Sequence, residues 1–330
     1  MRNEPLDVVG IGNAIVDVIS HAEEEFLAAR GLAKGAMILV DEGASDALYD
    51  AMGPGIECSG GSAANTISGV AALGGRAGFI GKVKDDQLGE VFRHDLRAQG
   101  VTFTTPSASD GPSTARCLIL VTPDAQRTMN TYLGACVELG PEDVDAELIA
   151  AARITYLEGY LWDPPGAKAA FRKAVKIAHA AGAKVALTLS DSFCVERWRH
   201  EFRDLVAHHV DILFANEAEI ISLYEATDFD DALQACRGLC EVAALTRSAR
   251  GSVILAGDEV HVIDAEPVAH VVDTTGAGDL YAAGFLYGLT AGRSLHDCGR
   301  IGAICAAEVI SHFGARPEEP LAPLVAQKLG

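Results

Sequence analysis

Basic residues are scarce in this chain of 330 residues. It has 26 lysines and arginines against 46 aspartates and glutamates, a formal net charge of −20. Nucleic acid and anionic membranes repel such a chain, so the composition argues against either partner. A phosphorylated ligand would need its charge met locally, by helix N-termini, a few arginines and a metal ion.

Other absences narrow the class of protein. No apolar run approaches the ~18 residues of a membrane span, and the first residues, Met-Arg-Asn-Glu-Pro-Leu-Asp, lack the regions of a signal peptide. Eight cysteines occur without any C-x-x-C pair, which argues against a disulfide framework and against a zinc site. We therefore expect a cytoplasmic protein whose cysteines are buried free thiols.

The fold class follows from what the chain does contain. Short β-branched runs alternate with alanine-rich helical stretches, the pattern of βαβ units around a mainly parallel sheet. A helix is predicted over residues 167–181. The predicted strands are 6–11, 77–80, 154–157, 184–189, 212–215, 242–246, 252–256 and 261–263.

Two segments break this pattern, residues 14–60 and 102–136. They hold strand-like pieces at 37–40, 115–121 and 128–132. We expect them to form a small β-rich lid, built from two excursions of a single domain over residues 1–330. Neither repeats nor a low-complexity linker support separate domains.

The most informative motif is Asp-Thr-Thr-Gly-Ala-Gly-Asp at residues 273–279, between a predicted strand at 268–272 and a predicted helix at 280–289. A helix that begins on glycines offers bare N–H groups and its positive dipole end to an anion. Asp279 would stand beside that site as the acceptor of a hydroxyl proton, which predicts phosphoryl transfer. The alternative is a glycine turn for close packing, with Asp279 as an N-cap.

Two other glycine clusters also follow or precede regular elements. In residues 10–17, Ile15 stands where a dinucleotide-binding fingerprint has its third glycine, which argues against a nicotinamide cofactor. Asp17 is either a hydroxyl binder or a local cap. Residues 60–65, Gly-Gly-Ser-Ala-Ala-Asn, either bring backbone and one amide up to a polyol or allow tight helix packing.

Asn216 and Glu219 follow a predicted strand and lie three residues apart, so they would share one face of a helix's first turn. That placement suits indirect contacts with magnesium and phosphate. The alternative is a simple capped helix start. All these motifs fall at strand-to-helix crossings, where open α/β sheets bind ligands.

Four motifs in order resemble those of the ribokinase-like carbohydrate and nucleoside kinases of the phosphofructokinase-B type. They are residues 7–13, 60–65, 216–219 and 273–279, so the resemblance spans nearly the whole chain. It implies a three-layer α/β/α domain with a mostly parallel central sheet and a small β-rich lid. Residues 12–17, 189–193 and 211–219, together with Arg127, are most similar to the members that phosphorylate adenosine.

The resemblance also implies site roles. Asn13, Asp17, Gly61 and Asn65 would hold ribose hydroxyls. Phe193 would stack on a purine; the alternative is an ordinary core aromatic. The rest of the apolar slot would come from Ile15, Leu39, Met129 and one residue of the pair Tyr160 and Leu161.

At the phosphate end, the resemblance implies that Arg127 closes over the phosphates and that Asp279 is the catalytic base beside an anion hole of Gly276, Ala277 and Gly278. Asn216 and Glu219 would organise Mg²⁺, with Glu219 acting through water. Thr246, Ser248 and Gly251 would line the ATP side. Ser248 replaces a usual glycine of the family, so we expect this loop to adopt left-handed geometry less readily.

The implied activity is transfer of the γ-phosphoryl group of ATP to the 5′-hydroxyl of adenosine, giving AMP in purine salvage. ATP and Mg²⁺ would be the cofactors, and the resemblance leaves open a monovalent cation and the oligomeric state. A ribokinase- or fructokinase-like sugar kinase is the alternative within the family. A non-catalytic nucleoside sensor is an alternative outside catalysis, disfavoured by the retained Asp279.

Overall fold

The computed structural model describes residues 5–124 and 126–330. The first four residues, on which the expectation about a signal peptide partly rests, lie outside the described residues. The strands are β1 Leu6–Ile11, β2 Ile15–His21, β3 Met37–Leu39, β4 Gly55–Gly60, β5 Ala77–Ile80, β6 Thr102–Phe103, β7 Ala115–Val121, β8 Arg127–Tyr132, β9 Ala152–Glu158, β10 Lys184–Thr188, β11 Ile212–Asn216, β12 Val242–Thr246, β13 Ser252–Ala256 and β14 Glu259–Ile263. The helices are α1 Glu24–Ala29, α2 Glu42–Ala51, α3 Ser62–Ala72, α4 Gln87–Ala98, α5 Ala146–Ala150, α6 Pro165–Ala180, α7 Ser192–His208, α8 Glu217–Tyr224, α9 Phe229–Cys236, α10 Ala277–Thr290, α11 Leu295–Val309 and α12 Leu321–Leu329.

Within the described residues, nine strands form the main sheet, in the order β14-β13-β12-β11-β10-β9-β1-β5-β6. Strands from β12 to β6 are parallel, and β13 and β14 are antiparallel additions at one edge. The central strands are apolar on both faces: in β9, Ile154 belongs to one core cluster and Leu157 to the other. Such strands are typical of a parallel sheet covered by helices on both sides.

Helices cover both faces of this sheet. One core cluster joins it to α3, α4, α10, α11 and α12, and the other joins it to α6, α7, α8 and α9. This arrangement confirms the predicted three-layer α/β/α fold with a mostly parallel sheet.

A second, small sheet has the strand order β3-β8-β7-β2-β4 in the described residues. Its strands come from the two segments predicted to form a β-rich lid. One part of that prediction is wrong, because Thr102–Phe103 pairs with β5 at the edge of the main sheet. Movement of the small sheet as the lid of a single domain stays a prediction.

The predicted strand at 268–272 is also wrong. These residues adopt no regular structure, Val271 is 58% exposed, and the Val272 N–H donates to the carbonyl of Ile310, just after α11. The segment is apolar enough for a strand, but it runs beside the end of a helix instead of along a sheet edge. The following helix begins at Ala277, three residues before the predicted start.

The predicted free thiols are confirmed: all eight cysteines are free, and six of them are buried. Over residues 5–124 and 126–330, no helix combines the length and the apolar character needed to cross a bilayer.

Candidate active site

A cavity of about 640 Å³ opens between the carboxyl ends of the main-sheet strands and one face of the small sheet. Asn216 and Thr246 line it at the ends of β11 and β12, and Asp17 and Met129 line it from β2 and β8. The start of α10 lines it as well. The cavity therefore lies where open α/β sheets bind ligands.

The N-terminus of α10, where the sequence pattern predicts an anion site, lines the cavity. Gly276 has a φ of 79°, and a Cβ there would lie 2.7 Å from the Cβ of Ala315, so the turn requires glycine. The first hydrogen bond of the helix runs from the Leu280 N–H to the Gly276 carbonyl. The N–H groups of Gly278 and Asp279 thus have no partner within the helix, and a Cβ at Gly278 would meet open space.

Asp279 is held by two donors from α3. The Ser62 hydroxyl donates to Oδ1 at 2.6 Å, and the Asn65 amide donates to Oδ2 at 2.9 Å. Burial raises the pKa of Asp279, while these two hydrogen bonds lower it. The carboxylate does not cap α10, whose N-cap is Gly276, so the capping alternative is wrong for the observed geometry. Ser62 was missed because a serine in a glycine turn carries no signal for a partner 217 residues away.

We call the part of the cavity lined by Asn13, Asp17, Gly61 and Asn65 the acceptor end, because these residues are predicted to bind the acceptor. It contains buried polar atoms without partners among the described residues. They are the Oδ1 atoms of Asn13 and Asn65. Buried polar groups are normally hydrogen-bonded, so these two oxygens are suited to hydroxyls of a ligand. Both side chains line the cavity together with Asp17 and Gly61. The predicted acceptor-binding residues are thus brought together, while their binding roles stay predictions.

Asp17 is the carboxylate of this end. Burial raises its pKa to about 6, against the opposing effects of the Arg316 and Arg127 guanidinium groups. Its side chain packs directly on Gly60, where any Cβ would overlap the carboxylate. At Gly61, φ is 93° and a Cβ would overlap the Asn13 carbonyl oxygen. The glycine pair therefore lets the chain pass close to the Asp17 side chain and to the Asn13 main chain.

Glu158 was missed by sequence reasoning, although a carboxylate directly after the predicted strand 154–157 was an available signal. Its side chain is buried and accepts the Asn13 amide at 2.7 Å and the Ala63 N–H at 2.7 Å. Burial raises its pKa to about 7. Glu158 therefore joins the ends of β1 and β9 to the start of α3 and orients Asn13.

The small sheet gives the cavity an apolar wall. Predicted residues Ile15, Leu39 and Met129 line it. Phe193 lines the cavity from the first turn of α7 and is 73% exposed, so the core-aromatic alternative is wrong. Of the two neighbouring candidates, Tyr160 lines the cavity and Leu161 is buried in the core. The wall and Phe193 together provide an apolar slot open to solvent.

Asn216 and Glu219 form a reciprocal helix cap and also line the cavity. The Asn216 Oδ1 accepts the Glu219 N–H at 2.9 Å, and the Glu219 carboxylate accepts the Asn216 N–H at 3.0 Å. Burial raises the pKa of Glu219 to about 7. The pair therefore caps the helix, as the alternative expected, and also lines the cavity, while its role toward magnesium and phosphate stays a prediction.

The predicted ATP-side loop is only partly at the cavity. Thr246 lines it, whereas Ser248 and Gly251 lie outside the lining. Ser248 adopts a left-handed φ of 52°, so the loop has this geometry although serine disfavours it relative to glycine. Gly251, with a φ of 77°, packs where a Cβ would overlap the Ile263 carbonyl oxygen, which is a structural requirement.

Arg127 lies at the start of the 273–279 motif. Its guanidinium forms an ion pair with Asp273 and donates to the Thr275 hydroxyl at 3.0 Å. Its Nε and Nη2 atoms are buried and have no partner in the described part of the chain. The arginine is therefore anchored to the motif of the predicted anion site but lies outside the cavity lining, and its closure over phosphates stays a prediction.

Comparison with known proteins agrees with this geometry. Residues 57–321 match the model of the pfkB family carbohydrate kinase. The crystal structure of adenosine kinase from Sinorhizobium meliloti is 54% identical, with a TM-score of 0.91, over 98% of this chain and 99% of that chain. A probable sugar kinase from Rhizobium etli CFN 42 is 52% identical, with the same TM-score of 0.91 and the same coverage of 98% and 99%. Adenosine kinase of Saccharomyces cerevisiae is 28% identical over 334 residues, 93% of this chain and 95% of its own length.

Proposed function

The chain belongs to the pfkB family of carbohydrate kinases, and we propose that it transfers the γ-phosphoryl group of ATP to the 5′-hydroxyl of adenosine. Phosphoryl transfer to a hydroxyl group of a sugar or nucleoside is the activity of this family and of its adenosine kinase relatives. The choice of adenosine as acceptor is the proposal.

The observation that carries the chemistry is the placement of Asp279. Its carboxylate lies at the open N-terminus of α10 and faces the same cavity as the acceptor-binding residues. Ser62 and Asn65 fix its orientation by donating to its two oxygens. A base held beside an anion site takes the proton of a hydroxyl that attacks a phosphorus bound there.

The proposed reaction requires no reactant besides ATP and adenosine. The 5′-oxygen bonds to the γ-phosphorus, and the bond from that phosphorus to the β–γ bridging oxygen breaks. The hydroxyl proton passes to Asp279, and the products are AMP and ADP. The N–H groups of Gly278 and Asp279 and the Arg127 guanidinium would stabilise charge on the transferring group.

Two features of the cavity support a nucleoside acceptor. The unpartnered oxygens of Asn13 and Asn65, together with Asp17, suit the hydroxyls of a ribose. The apolar wall and the exposed Phe193 suit a flat purine, which gains stacking and burial there. A free sugar has no flat aromatic ring to stack in this slot.

Magnesium fits the donor set as an ion that keeps most of its water. Within the described residues, no group of three His, Cys, Asp or Glu side chains converges on a metal position. Mg²⁺ does not need one, since one or two carboxylates and the substrate phosphates commonly hold it with water. Glu219, with Asn216 beside it, would orient those waters. The ion would supply charge neutralisation at the phosphates.

An acceptor panel tests the proposal. Purified protein with Mg-ATP is assayed for ADP release with adenosine, inosine, guanosine, ribose and fructose, and Asp279→Asn serves as the control with strongly reduced turnover. We expect adenosine to show the highest kcat/KM. A free sugar as the best acceptor would reject adenosine and support the sugar kinase alternative. ADP release with none of the acceptors would favour the nucleoside sensor.

A place in purine salvage follows from the proposed product, AMP. The cytoplasmic location expected from the sequence is likewise a proposal, which cell fractionation tests.

A further inference from the structure

Arg316 lies in the segment between α11 and α12 and contacts the turn between β4 and α3. Its Nε and Nη2 atoms donate to the Ser59 carbonyl at 3.1 and 2.9 Å, and Nη2 also donates to the Ser59 hydroxyl at 3.1 Å. Its Nη1 donates to the Ala64 carbonyl at 2.8 Å. The guanidinium of this half-buried residue therefore bonds the chain on both sides of Gly60 and Gly61.

The same segment also contacts the 273–279 motif. The Gly314 N–H donates to the Asp273 carboxylate at 3.1 Å, and Ala315 packs on Gly276. A short stretch of chain thus joins the glycine turn of the acceptor end to the anion site. Arg316 is the side chain that connects this stretch to the glycine turn.

The clamped turn carries the groups that position Asp279. Ser62 and Asn65 lie in the first turn of α3, directly after the glycines, and both donate to the Asp279 carboxylate. A shift of the turn would move these donors and would also move Gly60, on which Asp17 packs. The guanidinium group fixes this geometry because it is planar and its N–H groups point in fixed directions.

The positive charge of Arg316 also acts on the carboxylates of Asp17 and Asp279. The guanidinium lowers the pKa of Asp17 and of Asp279, opposing the effect of their burial. Burial lowers the pKa of Arg316 itself to about 10, so it stays protonated at neutral pH. Charged and titratable groups near the two carboxylates and Arg316 also include Asp95, Arg127, Cys58, Cys117, Tyr156, Glu158, Tyr160 and Glu219.

We propose that Arg316 is a positioning residue for phosphoryl transfer: it clamps the Gly60–Gly61 turn so that Ser62 and Asn65 orient Asp279, and its positive charge favours the ionised carboxylates. The proposal rests on the proposed function for its kinetic consequences. It concerns a residue that does not line the cavity.

Two variants separate the effect of the guanidinium hydrogen bonds from the effect of the positive charge. Arg316→Lys keeps the charge and loses the planar guanidinium group, so kcat should fall on the order of 10–10²-fold, with the acid limb of its pH profile in place. Arg316→Gln loses both, so kcat should fall at least as far. Because Asp17 and Asp279 lose a nearby positive charge in this variant, their pKa values rise. The acid limb of the pH profile should therefore move up by roughly 0.5–1 pH unit. The KM for ATP should change little in either variant.

Arg203→Gln is the matched control. Arg203 also bonds a main-chain carbonyl, that of Leu223 at 2.6 Å, and lies outside the cavity lining. It should leave kcat and the pH profile unchanged. A fall in kcat of the control equal to that of Arg316→Gln would mean that loss of any such arginine disturbs the enzyme, and would overturn the proposal.

A titration without substrate separates this proposal from the identity of the acceptor. In ¹³C-aspartate protein, with resonances assigned by Asp17→Asn and Asp279→Asn, both carboxyl pKa values should rise in Arg316→Gln by roughly 0.5–1 unit. Unchanged values, or wild-type kcat in Arg316→Lys, would overturn the proposal. If Arg316→Gln does not fold, the kinetics of Arg316→Lys decide. Wild-type protein inactive toward adenosine would reject the proposed function, while the titration still decides the role of Arg316.

Discussion

Replacing Asp279 by asparagine should separate catalysis from binding. The carboxylate matters for taking the hydroxyl proton, whereas the N–H groups at the start of α10 bind phosphate whatever the side chain. We expect Asp279→Asn to lower kcat by about 10²–10⁴, the usual effect of losing a general base, which raises the barrier by about 2.7–5.5 kcal/mol. Binding of ATP and adenosine should change little.

The structure explains why this variant should fold. The new amide oxygen can accept the Asn65 amide, and the new NH₂ can donate to Ser62, whose hydroxyl both donates and accepts. Burial raises the pKa of Asp279 above its ordinary value of 3.8, so the ionised form costs folding stability as pH rises through the folded-state pKa. The variant avoids that cost. Its Tm relative to wild type should therefore be more favourable near neutral pH than below pH 3.8.

Steady-state ADP release and calorimetric titration with each substrate measure the two effects. Asp228→Asn is the control, because Asp228 caps α9 by accepting the Asp231 N–H at 2.9 Å, and asparagine caps a helix equally well. It should keep wild-type kcat and Tm. Near-normal kcat in Asp279→Asn would refute the role of base, and so would a loss of turnover explained wholly by lost nucleotide binding.

Two further predictions concern the acceptor end. Phe193→Ala should weaken adenosine binding by roughly 1–3 kcal/mol, as for aromatic–base stacking elsewhere, with little change in Tm because Phe193 is 73% exposed; calorimetry showing unchanged affinity would remove it from the slot. Gly61→Ala should lower the unfolding free energy by roughly 1–3 kcal/mol more than Gly74→Ala, because both have a φ near 90° but only at Gly61 would a Cβ overlap another residue. Chemical denaturation of the two variants measures the difference, and equal losses would show that backbone strain alone explains the effect.

Much of the fold could be predicted because its signals are local. The predicted bounds of β1, β5, β7, β12 and β13 match the structure, since each is a short, mostly apolar run followed by turn or polar residues. The failure at 268–272 has the opposite cause. Its residues are as apolar as those of a strand, but a strand exists only where another edge is available to pair with it.

The candidate site likewise contains some residues that local motifs reveal and others that they do not. Asn13, Asp17, Asn65 and Asp279 were recognisable because each belongs to a motif whose glycines and polar groups lie within a few residues. Ser62 and Arg316 were not, since their partners lie 217 and 257 residues away along the chain.

The sequence by itself determined many of the strands, where glycine must permit a turn, and which side chains carry reactive chemistry. These properties depend on local backbone sterics and on residue type. Only the tertiary structure decided that α3 supplies the donors to Asp279, that Phe193 stands exposed at an apolar slot, and that a distant arginine clamps the glycine turn. Hydrogen-bond partners, burial and the resulting pKa values depend on which segments pack together, and contacts between distant segments leave no local trace in the chain.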